Sequence, residues 1–269
     1  MHEPAPPFLA VEDLVVAFSD PHRPGGVLRA VDGVSLAIAP GEILGLVGES
    51  GSGKTTLGKA MLRLYEPRSG RLTLRGRDIT HLGEAALRPH RRAMQMVFQD
   101  PLSSFNPRHR IGEAIAVPLR LHRLCAPAET GARVAAILDE VGLRADFAAR
   151  YPHEMSGGQL QRAAIGRALA LSPGLIVADE AVSKLDVSVR AQILNLLRAV
   201  QARSGLAMVF ITHDLHVARF LCHRVAVMHF GKVLEIGATE DVFERPQHAY
   251  TRSLLGTLHA RALRARSPS

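Results

Sequence analysis

A glycine-rich segment that ends in lysine and threonine constrains this chain more than any other feature. Residues 48–55 read G-E-S-G-S-G-K-T and match the pattern G-x-x-x-x-G-K-[ST] at every fixed position. Average residue frequencies give roughly a one-in-a-hundred probability of a chance match in a chain of this length. An apolar run at 43–47 precedes the segment, and a helical pattern from Lys54 to about Leu64 follows it. The segment is therefore expected to lie between a buried strand and a helix.

This strand, loop and helix predict a site for the phosphates of a nucleotide. Glycines let the backbone curl so that its N–H groups face an anion, and the helix N-terminus adds partial positive charge. In such a loop the lysine reaches the β and γ phosphates and the threonine is a ligand of Mg²⁺. A glycine-rich turn without a ligand is the alternative, and the strand and helix on either side argue against it. The predicted phosphate-binding residues are Gly48, Glu49, Ser50, Gly51, Ser52, Gly53, Lys54, Thr55 and Thr56.

Apolar strand patterns alternate with helical patterns along most of the chain, which predicts a largely parallel α/β sheet. Helical spacing at 112–121 and 132–141 interrupts this alternation and predicts a mostly helical insertion over about 99–171. A further helix is expected at 189–202, and 22–26 is expected to be a loop. The predicted strands are 8–18, read as an edge strand, 31–39, 43–47, 72–74, 94–98, 175–178, 207–212, 225–229 and 233–236.

Two acidic residues, Asp179 and Glu180, follow the apolar strand at 175–178. In a parallel sheet functional groups collect at the carboxyl ends of the strands, the edge where the phosphate loop opens. We therefore expect Asp179 to hold the Mg²⁺ shell and Glu180 to polarise the attacking water. A solvated loop is the alternative, and the phosphate loop makes the functional interpretation the stronger one.

A second Ser/Gly-rich turn, S-G-G-Q at 156–159, opens a helical pattern at 160–171. A turn of this kind at a helix N-terminus is a second anion site. Either the insertion folds back so that both sites meet one nucleotide, or each nucleotide is clamped between two chains. Without other observations the turn is also compatible with a linker or a helix cap. The predicted residues are Ser156, Gly157, Gly158 and Gln159.

The net charge of +8 admits an anionic partner, but nothing else in the composition favours nucleic acid. Aromatic residues make up 4% of the chain and tryptophan is absent, so little is present to stack on bases. A hydrophobic content of 47% excludes a wholly disordered chain.

Cysteine content and the start of the chain indicate the reducing cytosol. Cys125 and Cys222 are too few for a disulfide framework or a four-cysteine metal site. No secretory signal is expected at the start, and no apolar run approaches the roughly 20 residues of a membrane span.

The ordered motifs resemble the ATP-binding subunits of ABC transporters over about residues 8–255. The segment M-S-G-G-Q-L-Q-R at 155–162 is similar to the signature of that family and is the most specific element. The resemblance implies a Walker A at 48–55, a Walker B at 175–180 and a D-loop at 183–186. It further implies a Q-loop glutamine at Gln99, a switch histidine at His213, a D-loop carboxylate at Asp186 and an adenine-stacking aromatic at Phe18.

Roles for individual residues follow from this resemblance. Glu180, His213 and Gln99 are implied as catalytic residues. Thr55, Gln99 and Asp179 are implied as the Mg²⁺ contacts, with ATP and Mg²⁺ as the cofactors.

The same resemblance implies an α/β fold of the P-loop NTPase, ABC ATPase type. Its parts are a mostly parallel core sheet, an N-terminal antiparallel β part and a helical subdomain inserted at about 100–171. The nucleotide-binding domain is expected at 8–245, followed by an importer-type element and basic tail at 246–269.

Three segments, 97–108, 185–194 and 246–255, narrow the resemblance to the dipeptide, oligopeptide and nickel importer branch. This branch implies two transmembrane permease subunits, a sister ATPase or a second copy of this chain, and a solute-binding protein met indirectly. It implies no nucleic-acid partner and a peripheral position on the cytoplasmic face of the inner membrane. Peptide and nickel both remain open as the solute.

Two residues depart from the pattern of that branch. Ala181 stands where proline is usual after Walker B, and Lys184 replaces an alanine of the D-loop. The lysine either pairs with phosphate, obstructs closure of two chains, or is tolerated.

Three other functions are each compatible with part of the sequence. A soluble ABC ATPase acting on nucleic acid or ribosomes is the main alternative, although the chain has one phosphate loop rather than two. An ABC exporter subunit does not explain the importer-like segment near the C-terminus, and a P-loop kinase does not explain S-G-G-Q.

Overall fold

A computed structural model describes residues 6–19 and 26–256 of the chain. Most of the Pro-rich start, most of the predicted loop at 22–26 and the basic tail from residue 257 lie outside the described residues. Internal contacts divide the chain into two compact units. The first takes the chain up to Gly83 and again from Ala207, and the second runs from Glu84 to Leu206.

Strands and helices alternate along the described residues. The strands are β1 (Leu9–Ser19), β2 (Val27–Ile38), β3 (Ile43–Val47), β4 (Ser69–Leu74), β5 (Arg77–Asp78), β6 (Met94–Val97), β7 (Leu175–Asp179), β8 (Ala207–Thr212), β9 (Arg224–His229) and β10 (Lys232–Ala238). The helices are α1 (Lys54–Met61), α2 (Glu84–Arg91), α3 (Ile111–Leu121), α4 (Thr130–Glu140), α5 (Gly157–Leu169), α6 (Val187–Ser204), α7 (Leu215–Leu221), α8 (Thr239–Glu244) and α9, residues 249–256.

The first unit contains an antiparallel sheet and a set of mostly parallel strands. In the antiparallel sheet the order is β2-β1-β4-β5. In the parallel set β3 lies between β8 and β9, and β10 closes antiparallel on β9. Every residue of β3 is buried, as expected for a strand covered on both faces.

The prediction of an edge position for β1 is wrong. This strand pairs with β2 on one side and β4 on the other. Its side chains alternate, with Leu9, Val11, Leu14 and Val16 buried. Alternation reports that one face of a strand is buried and says nothing about how many neighbours the backbone has, which explains the error.

The second unit joins a parallel strand pair, β6 and β7, to the helices α2 to α6. Helices α3, α4 and α5 pack on one another through buried residues such as Ile115, Leu138 and Ile165. The predicted helices at 112–121 and 132–141 are therefore present, shifted by one or two residues at their starts.

Helix α1 ends earlier than its sequence pattern suggests. Arg63 adopts the left-handed backbone conformation, with φ of 54°, two residues after the helix ends. A left-handed residue commonly ends a helix. The side chain of Arg63 also donates a hydrogen bond to the carbonyl of Ile79 at 3.1 Å.

Candidate nucleotide-binding site

The phosphate loop connects β3 to α1 in the first unit, and two of its glycines have no room for a side chain. A Cβ atom on Gly48 would lie 2.2 Å from the carbonyl oxygen of Met228. A Cβ atom on Gly53 would lie 2.2 Å from the carbonyl oxygen of Ala30. Gly53 also has a φ of 100°, which favours glycine. The close approach of these backbones gives the predicted motif its tight curl.

Lys54 is buried with its ammonium inside this curl. Its Nζ donates to the carbonyl oxygens of Gly48 at 2.9 Å and Glu49 at 2.6 Å, and to Ser52 Oγ at 3.2 Å. Thr55 and Thr56 follow in the first turn of α1, half-buried. A positive charge at a helix N-terminus, surrounded by curled backbone, is an arrangement suited to an anion.

Strand register places His213 at the same sheet edge as the phosphate loop. Val47 pairs with Thr212 in the parallel ladder of β3 and β8, so Gly48 and His213 each follow a paired residue. The next residue, Asp214, is the N-cap of α7, and its carboxylate accepts hydrogen bonds from the N–H groups of His216 and Val217. His213 is exposed at this turn.

Phe18 lies near the end of β1 and is 39% exposed. Its ring meets that of Tyr65 edge to face, with centroids 5.2 Å apart. This contact fixes the orientation of the Phe18 ring, as a stacking platform requires. Its role as the adenine contact remains a prediction.

The second unit brings together Gln99 and Glu180. Val97 pairs with Ala178 across β6 and β7, so both side chains lie two residues beyond paired strand positions. Gln99 Nε2 donates to Glu180 Oε2 at 2.8 Å. Asp179, the last residue of β7, is 5% exposed and immediately precedes Glu180 in the sequence.

Glu180 has a left-handed backbone conformation, with φ of 46°. Such a conformation is unfavourable for glutamate, and strained residues of this kind are enriched at functional sites. The carbonyl of Glu180 accepts from the N–H of Ser183 at 3.1 Å and from its hydroxyl at 3.0 Å. These bonds hold the turn that directs the carboxylate, a feature with no sequence signal beyond the acid after a strand.

The S-G-G-Q turn forms the start of α5, as predicted. Ser156 Oγ accepts from the N–H of Gln159 at 3.3 Å, and Gln159 Oε1 accepts from the N–H of Ser156 at 3.0 Å. This reciprocal pair is a capping box. A Cβ atom on Gly158 would lie 2.4 Å from Val189 Cγ1, so the turn packs tightly against α6. Ser156 and Gly157 are exposed.

The D-loop residues precede α6 in the same unit. Asp186 is exposed immediately before the helix, and Lys184 is exposed at the wall of a cavity of about 430 Å³. Gln99, Met155 and Gln161 also line this cavity. Ala181, the second departure from the branch pattern, is buried.

The structure therefore groups the predicted site residues by unit. The phosphate loop and His213 share one edge of the first unit, and the second unit contains Gln99, Asp179, Glu180, the S-G-G-Q turn and Asp186.

Sequence reasoning missed the turn between β9 and β10, whose Gly231 N–H donates to the Ser52 carbonyl at 3.0 Å. The short F-G-K sequence at 230–232 between two strands was its only signal.

No group of three or more His, Cys, Asp and Glu side chains among the described residues is arranged to hold a metal ion. None of the helices among these described residues has the length and apolar character that crossing a bilayer requires.

A buried strand, a glycine-rich phosphate loop and an acid pair after a second strand define a P-loop nucleotide-binding domain. The model of the ABC transporter family matches residues 31–183, more than half of the chain. The chain belongs to the ABC transporter family and carries its ATP-hydrolysing domain.

Solved structures of the same fold support this assignment. The chain resembles an ATP-binding cassette solved as a dimer in a post-hydrolysis state with ADP and Pi, with a TM-score of 0.78 and 29% identity. That match covers 86% of this chain and 98% of the other. It also resembles cbiO1 from Clostridium perfringens, part of an ABC transporter complex, with a TM-score of 0.79 and 25% identity over 96% of this chain and 97% of that one. The predicted fold class is confirmed.

Curated relatives agree with the predicted importer branch. The chain is 50% identical over 260 residues to the glutathione import ATP-binding protein of Pectobacterium atrosepticum. It is also 50% identical over 258 residues to the protein of that name in Escherichia coli K12. Both matches cover 94% of this chain and 41% of the relative, so the chain spans about two fifths of their length.

Proposed function

We propose that this chain is the ATP-binding and ATP-hydrolysing subunit of an ABC importer for glutathione or a related short peptide. The observation that carries the proposal is 50% identity, over 94% of the chain, to proteins named for glutathione import. Glutathione is a short peptide, so this solute falls within the predicted peptide class. The relatives give nickel no support as the solute.

The first unit supplies the phosphate contacts of the proposed site. Residues 48–56 surround the phosphates with backbone N–H groups, and the buried Lys54 ammonium offsets their charge. His213, at the same edge, contacts the γ-phosphate in this proposal. Phe18 stacks on the adenine ring.

Mg²⁺ is proposed to accompany ATP, on the chemistry of three residues. The Thr55 hydroxyl, the Asp179 carboxylate and the Gln99 amide oxygen are ligand types that a hard cation prefers. When bound, the ion neutralises charge on the β and γ phosphates.

Glu180 is the proposed base for the attacking water. The hydrogen bond from Gln99 fixes one carboxylate oxygen, and the left-handed turn fixes the backbone from which it projects. A positioned carboxylate accepts the water proton as the oxygen attacks the γ-phosphate. Gln99 therefore links the hydrolytic residue to the start of the helical insertion, whose state a permease can sense.

The S-G-G-Q turn is proposed to complete the nucleotide site of a second chain. Ser156 and Gly157 are exposed at the N-terminus of α5, a 13-residue helix whose dipole favours an anion. In this arrangement ATP holds two chains together with Asp186 near the seam, and hydrolysis releases them. The partner is a sister ATPase or a second copy of this chain.

The proposed assembly lies on the cytoplasmic face of the inner membrane. It consists of the ATPase pair bound to two transmembrane permease subunits, and a solute-binding protein delivers solute from the other side. Closing and opening of the pair alternates the access of the permease.

Affinity purification in mild detergent tests the assembly. The tagged chain is recovered from its own cells, and its partners are identified by mass spectrometry. Two permeases and an ATPase partner are expected. Ribosomes or nucleic acid alone would instead support the soluble ATPase alternative.

Uptake by the purified complex in proteoliposomes tests the solute. Radiolabelled glutathione, a labelled dipeptide and ⁶³Ni²⁺ are compared, each with and without internal ATP. ATP-dependent uptake of glutathione or the dipeptide is expected. Uptake of nickel alone would contradict the proposed solute class.

A further inference from the structure

We propose that the C-terminal element, residues 246–252, positions the phosphate loop, with Tyr250 as the positioning residue. This proposal rests on the proposed function of the loop as an ATP site. The sequence marks this element only as a feature of the importer branch. In the structure it reaches the loop through the turn between β9 and β10.

The end of β9 and the turn after it contact the phosphate loop through their backbones. The Met228 carbonyl lies so close to Gly48 that no side chain fits between them. Two residues past β9, the Gly231 N–H donates to the Ser52 carbonyl at 3.0 Å. Helix α1 begins only at Lys54, so these contacts hold the part of the loop that precedes the helix.

The C-terminal element is fixed to β10, the other strand of this hairpin. The two carboxylate oxygens of Glu235 accept from the N–H of Gln247 at 2.8 Å and from the N–H of His248 at 3.0 Å. Burial alone would raise the pKa of Glu235, but these donors lower it, so the carboxylate remains charged at neutral pH. The element is thus held at its start.

Tyr250 joins this fixed element to the turn and to the loop. Its ring stacks on His229, the last residue of β9, with centroids 4.0 Å apart. His229 in turn lies against Phe230 at 4.1 Å. The Tyr250 hydroxyl is buried. Burial raises the pKa of the phenol, and the charge of Glu49 in the phosphate loop raises it as well.

These contacts have a consequence for nucleotide affinity. Glu49, Ser50 and Gly51 are exposed, so the structure that keeps their N–H groups facing inward must come from the ends of the loop. Removing the Tyr250 ring frees the β9–β10 turn and, through Gly48 and Ser52, the loop. The loop must then be ordered by the nucleotide itself, which weakens binding.

Three variants of the full chain separate positioning from general stability. Tyr250→Ala removes the stacked ring, and Tyr250→Phe keeps it without the hydroxyl. Phe243→Ala removes a half-buried aromatic ring from α8, where its neighbour is Arg219, and serves as the matched control. Isothermal titration gives the Kd for Mg-ATP and Mg-ADP, and the thermal midpoint reports stability.

Tyr250→Ala is expected to raise both Kd values by about threefold to tenfold, the range of an aromatic pair. Tyr250→Phe is expected to restore affinity to within about twofold of the wild type, since stacking needs only the ring. Phe243→Ala is expected to lower the thermal midpoint without changing either Kd.

A second test approaches the stack from His229. If the two rings act together, His229→Ala and Tyr250→Ala are non-additive in Kd, and the double variant binds like either single one. Unchanged affinity in Tyr250→Ala, or an equal loss in Phe243→Ala, would overturn the positioning role. Failure of the wild-type chain to bind Mg-ATP would instead refute the nucleotide site on which this proposal depends.

Discussion

Glu180 combines a left-handed backbone with a hydrogen bond that orients its carboxylate. Its φ of 46° is sterically unfavourable, and its carboxylate is held by the Gln99 amide at 2.8 Å. The combination is what a residue requires when its carboxylate must meet a water molecule in one orientation.

Replacing Glu180 by glutamine tests this role. The amide keeps the shape of the side chain and cannot accept the water proton, so we expect ATP turnover to fall by roughly 10² to 10⁴. Turnover is measured as phosphate release in the purified complex. Affinity for Mg-ATP is expected to remain.

Glu240→Gln is the matched control, because Glu240 is exposed and pairs with Arg219 on the surface. It is expected to leave turnover unchanged. Equal turnover in Glu180→Gln and the wild type would exclude Glu180 as the base.

At the scale of elements, the signature turn depends on close packing as well as on its own hydrogen bonds. Gly158 approaches Val189 of α6 so closely that one added methyl group would lie 2.4 Å from Val189 Cγ1. Gly157, its neighbour in the same turn, has only an ordinary contact of 3.7 Å with Leu185.

Gly158→Ala is therefore expected to destabilise the chain by about 1 to 3 kcal/mol, the usual cost of overpacking. Gly157→Ala is expected to change the free energy of unfolding by less than about 0.5 kcal/mol. Urea unfolding of both variants measures the difference. Similar free energies of unfolding for the two variants would show that α6 shifts to accommodate the methyl group without loss of stability.

The buried thiol of Cys222, which follows α7 and packs against β3, predicts that stability depends on pH. A Cβ on Gly45 would lie 2.9 Å from Cys222 Sγ, and burial raises the pKa of the Cys222 thiol from near 9 to about 12. The unfolded thiol loses its proton first as pH rises. The stabilisation is thus complete below pH 9 and is lost between pH 9 and 12.

Within that window the free energy of unfolding is expected to fall by about 1.4 kcal/mol per pH unit more in the wild type than in Cys222→Ala. Other groups titrate equally in both chains, so the difference isolates the thiol. Chemical unfolding at pH 8, 9, 10 and 11 measures it. Parallel curves would show that the folded thiol titrates near its ordinary pKa.

How far the sequence predicts the structure varies from element to element. The alternation of strands with helices, the phosphate loop and the acid pair follow from spacing, because hydrophobic period and glycine placement act locally. The inner position of β1 depends on pairing partners distant in sequence. Helix α2 is not predicted, because it is eight residues long, buries only Leu87 and contains Pro89, which sequence patterns treat as a helix breaker.

The same distinction separates the site residues. The position of His213 at the edge of the phosphate loop is expected, since each follows a strand of a sheet predicted to be parallel, but the register of Val47 with Thr212 is not predicted. The bond from Gln99 to Glu180 and the contacts of Gly158 and Tyr250 need side-chain positions that no local pattern encodes.

For the whole molecule, the two-chain arrangement makes a prediction that no single variant tests. Glu180→Gln with Mg-ATP is expected to elute as a dimer, since bound ATP is not consumed. Adding Ser156→Arg places a bulky cation at the exposed start of α5 and is expected to prevent dimer formation. ATP binding should persist, because the phosphate loop belongs to the same chain as the nucleotide it holds.

Gel filtration coupled to light scattering reads the mass, and Ser69→Arg, at an exposed position of β4, is the control in the same background. A dimer that tolerates Ser156→Arg would favour the alternative in which both anion sites meet within one chain. Thermal unfolding of the variant confirms that loss of the helix cap leaves the chain folded.

If Glu180 is the base, its left-handed backbone makes thermal stability and ATP hydrolysis compete at this position. Glycine and asparagine adopt that conformation more easily, and relief of such strain is worth about 1 to 3 kcal/mol. A library of random variants scored only by survival after heating should therefore accumulate these two residues at position 180. These variants would be more heat-stable than the wild type and would not hydrolyse ATP.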